Sequence, residues 1–115
     1  MKRRVVVTGM GLVSPLGNTV ETSFQAMIDG KNGIDLITLE DVSNWKVKLA
    51  GEVKNLDFEA FIDRKEVKRS DRSVLLALIA ADEAYKQAKL ENANIDRTRF
   101  GLFIGSGLGG LNTIQ

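Results

Sequence analysis

The strongest periodic signal lies in residues 70–90. Ser70 and Asp71 are helix-capping residue types, and Val74-Leu75-Leu76-Ala77-Leu78-Ile79-Ala80-Ala81 follows as an apolar block before Asp82, Glu83, Lys86, Gln87 and Lys89 restore polarity. That pattern predicts a long helix ending near Leu90, with its first half buried and its second half returning to solvent. A shorter helix is predicted over residues 20–29. Val20, Phe24, Met27 and Ile28 share one face at i, i+4, i+7 and i+8, Asn18 or Thr19 can cap it, and Gly30 and Gly33 end it. Two runs predict buried strands. Val5-Val6-Val7-Thr8 closes on Gly9 and Gly11, and residues 100–104 run directly into Gly105-Ser106-Gly107-Leu108-Gly109-Gly110. Residues 46–53 alternate instead, with Val47, Leu49 and Val53 on one side and Lys46, Lys48 and Glu52 on the other, as suits a half-exposed strand.

Between these elements the chain is less regular. Pro15 lacks a backbone donor and biases Ser14 away from helical dihedrals, so residues 14–18 read as a loop and the first helix starts only after it. Residues 57–69 are mixed and predict short helical turns, while residues 111–115 can begin a further helix. Strand, helix and strand in this order predict an α/β layered fold, in which a parallel sheet is covered by helices on both faces. Two central strands cannot make that sheet alone, so the chain reads as part of a larger domain, with residues 1–115 belonging to it and no second domain among them.

Composition narrows the chemistry. A chain of 115 residues that is 43% hydrophobic has apolar material for a packed core, which argues against disorder. Lys and Arg number 16 against 15 Asp and Glu, so no overall field points to nucleic acid or an anionic membrane, and any basic site must be local. With no cysteine and no histidine, the chain has no thiol nucleophile, thiolate metal site or imidazole base. The longest apolar run, residues 74–81, is far below the roughly 20 residues that span a bilayer. A cytoplasmic protein without membrane insertion or an export signal is expected, and nothing calls for a metal or a cofactor.

The glycine turns admit competing readings. Gly105-x-Gly107-x-x-Gly110 after a strand has the spacing of a dinucleotide fingerprint, in which the backbone approaches a pyrophosphate at a helix amino terminus. The fingerprint also needs an acidic residue about 20 positions later, beyond Gln115. The first turn, Gly9-x-Gly11, has Ser14 in place of the third glycine, Pro15 where a helix should run, and no Gly-Lys-Ser/Thr of a phosphate loop. Close backbone packing in tight connections explains both turns equally well.

The combination of motifs is more specific than any one of them. Met1-Lys2-Arg3-Arg4-Val5-Val6-Val7-Thr8-Gly9-Met10-Gly11-Leu12-Val13-Ser14-Pro15-Leu16-Gly17-Asn18, Gly30-Lys31-Asn32-Gly33-Ile34, Ile62-Asp63-Arg64-Lys65 and Phe103-Ile104-Gly105-Ser106-Gly107-Leu108-Gly109-Gly110 together resemble the opening of the β-ketoacyl synthases. The motifs run in the family's order and spacing over essentially the whole chain. Ser14-Pro15-Leu16-Gly17 and Gly107-Leu108-Gly109-Gly110 look more like the type II than the type I synthases.

The resemblance implies a thiolase-like α/β fold, five-layered α-β-α-β-α in the complete enzyme, of which this chain is the amino-terminal part. It also implies a homodimer without cofactor or metal, acting on acyl and malonyl thioesters of acyl carrier protein. In that reaction a cysteine accepts the acyl group, two histidines assist decarboxylation of malonyl-acyl carrier protein, and the carbanion attacks the thioester to lengthen the chain by two carbons. None of those three side chains matches a position here, so no catalytic residue is assigned and the chain alone is expected to be inactive. By resemblance, Leu108 lines the acyl pocket, with Gly107 and Gly109 letting the loop shift, against the plain alternative of a core leucine. Lys65, Lys68 and Arg69 match a surface that docks the acidic carrier protein, against the alternative of a solvated mixed-charge helix; Arg64 is as readily structural. A non-catalytic relative that only shapes a partner's pocket, a chain-length factor, would open the same way. A dinucleotide-binding domain is the third reading.

Overall fold

A computed structural model describes residues 2–110. The chain divides into two units, Leu12–Asp57 on the one hand and Met1–Gly11 with Phe58–Gln115 on the other.

The unit Leu12–Asp57 opens with the proline loop. The Ser14 N–H donates to the Gly17 carbonyl at 2.9 Å and the Gly17 N–H returns to the Ser14 carbonyl at 3.2 Å, turning the chain through Pro15 and Leu16. Helix α1, Val20–Ile28, then begins at a reciprocal cap: the Thr19 side chain accepts from the Thr22 N–H, and the Thr22 hydroxyl accepts from the Thr19 N–H. Gly30, at φ +65°, ends it in the left-handed conformation that glycine adopts without a Cβ penalty. Ser23 on α1 is fully buried at 0% exposure, and its hydroxyl donates to the Gly17 carbonyl while sharing a 2.9 Å hydrogen bond with Ser14 Oγ. The proline loop is thereby tied to the first helix by satisfied polar groups.

The alternating stretch is shorter as a strand than its pattern predicts. Only β2, Leu49–Ala50, is paired, antiparallel to β1, Asp35–Leu36, a partner that has no alternating signal of its own. Val47 and Leu49 are exposed and Val53 is half-buried, so the described residues leave most of the apolar side uncovered. Glu52, expected on the solvent side, is turned inward with a side chain 7% exposed.

In the other unit, residues 57–69 carry the expected short turns, a 3-10 turn at Phe58–Ala60 and helix α2, Arg64–Arg69. Helix α3, Arg72–Gln87, is the predicted long helix, and Asp71 caps it by accepting from the Ser73 N–H. Its apolar first half is only partly enclosed: Leu75 and Ile79 are buried, whereas Val74 and Leu78 are exposed. Lys89, at φ 54°, breaks the helix before a 3-10 turn at Leu90–Asn92.

The two predicted buried strands form no ladder here. Val5 is 92% exposed and Phe103 96% exposed, and residues 5–8 and 100–104 pair with no strand. A β-branched run signals that a segment suits a buried sheet, but ladder partners and a second layer must come from elsewhere, and the described residues supply neither. Residues 9–11 nevertheless find a partner in α3. A Cβ at Gly9 would strike the Ala84 carbonyl oxygen and Ala88, and one at Gly11 would strike the Ala80 carbonyl, so the glycines let this segment lie directly on the alanine-lined face of α3. The close-packing reading of that turn is correct. The helix anticipated over residues 111–115 lies outside the described residues.

Candidate functional site: the glycine loop and a cationic helix

The residues singled out by sequence fall in two places on the unit built from Met1–Gly11 and Phe58–Gln115. The first is the glycine loop. Residues 104–110 lie beside the amino-terminal half of α3, where Val74, Ala77, Leu78 and Ile104 help line a recess of about 400 Å³. Asp71, the cap of α3, stands where a Cβ on Gly110 would fall, so the end of the loop approaches the helix as closely as only glycine permits. Gly109 has φ +68°, a left-handed backbone that disfavours any side chain. Its N–H donates to Ser106 Oγ at 2.9 Å, closing the loop over Gly107 and Leu108.

Leu108 is 77% exposed at the turn of this loop and is not among the residues lining the recess. The described residues thus leave Leu108 uncovered. Among the described residues Gly105 and Gly107 have open space where a Cβ would stand, so close packing there involves Gly110 and not them. No strand precedes Gly105 among the described residues.

The second place is α2. Lys65, Lys68 and Arg69 are spaced i, i+3, i+4, so they share one helical face, and all three are exposed. Asp63 caps the helix, with Oδ1 accepting from the Lys65 N–H at 2.8 Å. The two flanking arginines are engaged within the chain: Arg64 Nε lies 3.6 Å from Glu59 Oε1, and the Arg72 guanidinium sits 5.2 Å from the centre of the Phe58 ring. Among the described residues no ion pair holds Lys65, Lys68 or Arg69. The spacing brings these three together; it does not bring them to Leu108, which stands on a different element.

Sequence reasoning passed over Ser106 and Glu52. A serine three positions before a glycine is the readable signal for the first. For the second no local signal exists, because the groups it binds lie 13 and 14 residues away: Glu52 accepts from the backbone N–H of Thr38 and of Leu39 and from the Thr38 hydroxyl. Burial alone would raise the Glu52 carboxyl, but the hydrogen bonds from Leu39 and Thr38, with the Lys54 ammonium 4.0 Å away, outweigh it and hold the group below its ordinary value. Lys54 also lies 3.3 Å from Asp35, whose carboxyl is lowered by the Leu36 N–H first and by Lys54 second. This cluster fastens the short hairpin.

The chain is similar to known proteins in sequence and in fold. The family model described as β-ketoacyl synthase, N-terminal domain, matches residues 2–115. The 3-oxoacyl-[acyl-carrier-protein] synthase 2 of Staphylococcus aureus is 47% identical over 113 residues, which are 98% of this chain and 27% of that protein. The protein of the same name from Synechocystis sp. is 42% identical over 114 residues, 99% of this chain and again 27% of the relative. This chain thus spans about a quarter of the length of those relatives. Among solved structures, the ishigamide ketosynthase/chain length factor superposes with a TM-score of 0.71 at 29% identity, covering 77% of this chain and 22% of that one. The fold is therefore thiolase-like, as the motifs imply. With four sequence motifs in register and a family model spanning all but the first residue, the chain belongs to the β-ketoacyl synthase family, within its amino-terminal domain.

Proposed function

We propose that this chain is the amino-terminal part of a 3-oxoacyl-(acyl carrier protein) synthase, a cytoplasmic, homodimeric acyltransferase that elongates fatty-acyl chains by decarboxylative condensation with malonyl-acyl carrier protein. The observation that carries this reading is the 47% identity over 98% of the chain to the staphylococcal synthase 2. The present residues contribute binding surfaces and no reacting group, since the sequence holds neither cysteine nor histidine. Leu108 borders the acyl group and limits its length. Lys65, Lys68 and Arg69 present a cationic face to the acidic carrier protein, and steering of that kind acts mainly on the rate of encounter. The solved neighbour, named a ketosynthase/chain length factor, keeps a second reading in place, in which the complete protein shapes a partner's pocket without condensing.

The test is a condensation assay with acyl- and malonyl-acyl carrier protein. The full-length protein carrying this chain turns over and the 115-residue chain does not. A full-length protein without activity of its own, but needed for a partner's chain length, would favour the second reading; turnover by the short chain would overturn both. The docking face is tested by reversing Lys65, Lys68 and Arg69 to Glu in the full-length protein. KM for carrier-protein substrates should rise while small thioester analogues are spared, and added salt should mimic the change, because rim charges are screened over about 8 Å at physiological ionic strength. An equal loss with both substrate types would mean damage to the fold.

A further inference from the structure

We propose that Ser106 is a positioning residue that sets how firmly Leu108 limits acyl-chain length. The inference rests on the assignment of Leu108 to the acyl pocket and adds the residue that holds it in place.

The loop 105–110 is secured at two points. At its end Gly110 lies against Asp71, whose Oδ1 is itself held at 2.8 Å by both the N–H and the hydroxyl of Ser73. The second point is the 2.9 Å hydrogen bond from the Gly109 N–H to Ser106 Oγ. Among the described residues packing does not secure the first half, since none stands within 4 Å of the Cβ positions of Gly105 and Gly107. Leu108 lies inside the span that the Ser106 bond closes, and the described residues leave its side chain exposed.

A glycine-flanked segment samples many backbone states, and one well-formed hydrogen bond is enough to select among them. With Ser106 Oγ in place, Leu108 is presented in one orientation and acts as a firm stop. Without it, the Gly107-Leu108-Gly109 segment relaxes, and a long acyl group displaces Leu108 more readily while a short one does not notice. The net worth of such a bond corresponds to about a 2- to 10-fold change in an equilibrium, which is the size of the selectivity change expected.

The experiment measures kcat/KM for a short and a long acyl primer in the full-length protein carrying this chain, in Ser106→Ala, Ser106→Thr and Leu108→Phe. Ser106→Ala should raise the long-to-short ratio about 2- to 10-fold, and Ser106→Thr, which keeps the hydroxyl, should return it to the wild-type value. The inference is overturned if Ser106→Ala changes both primers in parallel, or if Thr behaves as Ala does. Leu108→Phe separates the two layers of the argument. A shift toward short primers in Leu108→Phe without any shift in Ser106→Ala sinks the role of Ser106 alone; no shift in either sinks the pocket assignment and this inference together.

Discussion

The two units of the chain hold irregular backbone in different ways. In Leu12–Asp57 the fastening is polar: Ser23 ties the proline loop to α1, and Glu52 with Lys54 ties β1 and the residues after it to β2. In the other unit it is steric, with Gly9 and Gly11 lying on the alanine face of α3 and Gly110 against its cap. The carboxylate clamp at Glu52 depends on charge and so responds to pH, whereas the hydroxyl clamp at Ser23 does not. The close approach of Gly9 and Gly11 to the backbone of α3 depends on the absence of a Cβ, and a larger side chain is what disturbs it.

The largest expected effect tests the steric side. Gly11→Ala puts a methyl group into the Ala80 carbonyl of α3, where helix backbone cannot yield as a flexible side chain would, and overpacking of this kind costs about 1–3 kcal/mol. Gly105→Ala is the matched control, because its Cβ meets open space and its effect should stay within about 0.5 kcal/mol. Amide exchange along α3 should accelerate in the first variant and not in the second, with the amides of Leu12–Asp57 unaffected. Similar behaviour of both variants would remove the distinction between the two glycine turns.

The polar side is tested by acid. The Glu52 and Asp35 carboxyls both sit below their ordinary values in the folded chain, so the stability they contribute is complete above the unfolded values, about 4 for such groups, and is lost as pH falls through the lowered folded ones. Protection of the Thr38 and Leu39 amides should therefore fall below about pH 4. Glu52→Gln should lower that protection already at neutral pH and flatten its acid dependence. A wild-type profile in the variant would mean that the hairpin is fastened by something else.

The smallest effect sharpens the comparison within the polar unit. Thr19→Ala removes the acceptor for the Thr22 N–H and one half of a reciprocal cap, at a cost of about 1 kcal/mol. Exchange should rise in the first turn of α1 and leave the Glu52 cluster unchanged, since the two share no hydrogen-bonding group. Coupled loss of both would show that the polar fastenings act as one network.

By itself the sequence determined the family, the helices and their ends. Thr19, Asp71 and Gly30 act within a few residues of the termini they define, and the three cations of α2 meet because helical spacing alone brings i, i+3 and i+4 to one face. The glycine motif could be read as a turn, but not which of its glycines is needed: only the structure places Asp71 beside Gly110, gives Gly109 a positive φ and leaves Gly105 and Gly107 in open space. The two buried-strand expectations failed for the same reason. A run such as Val5-Val6-Val7 records a preference for a buried sheet, whereas a ladder needs a partner supplied by distant chain, and β1 acquires one at Leu49–Ala50 without any alternating signal. Glu52 sits in a stretch that alternates like a surface strand, yet tertiary structure turns it inward, because unsatisfied N–H groups at Thr38 and Leu39 compete for its carboxylate more effectively than water does.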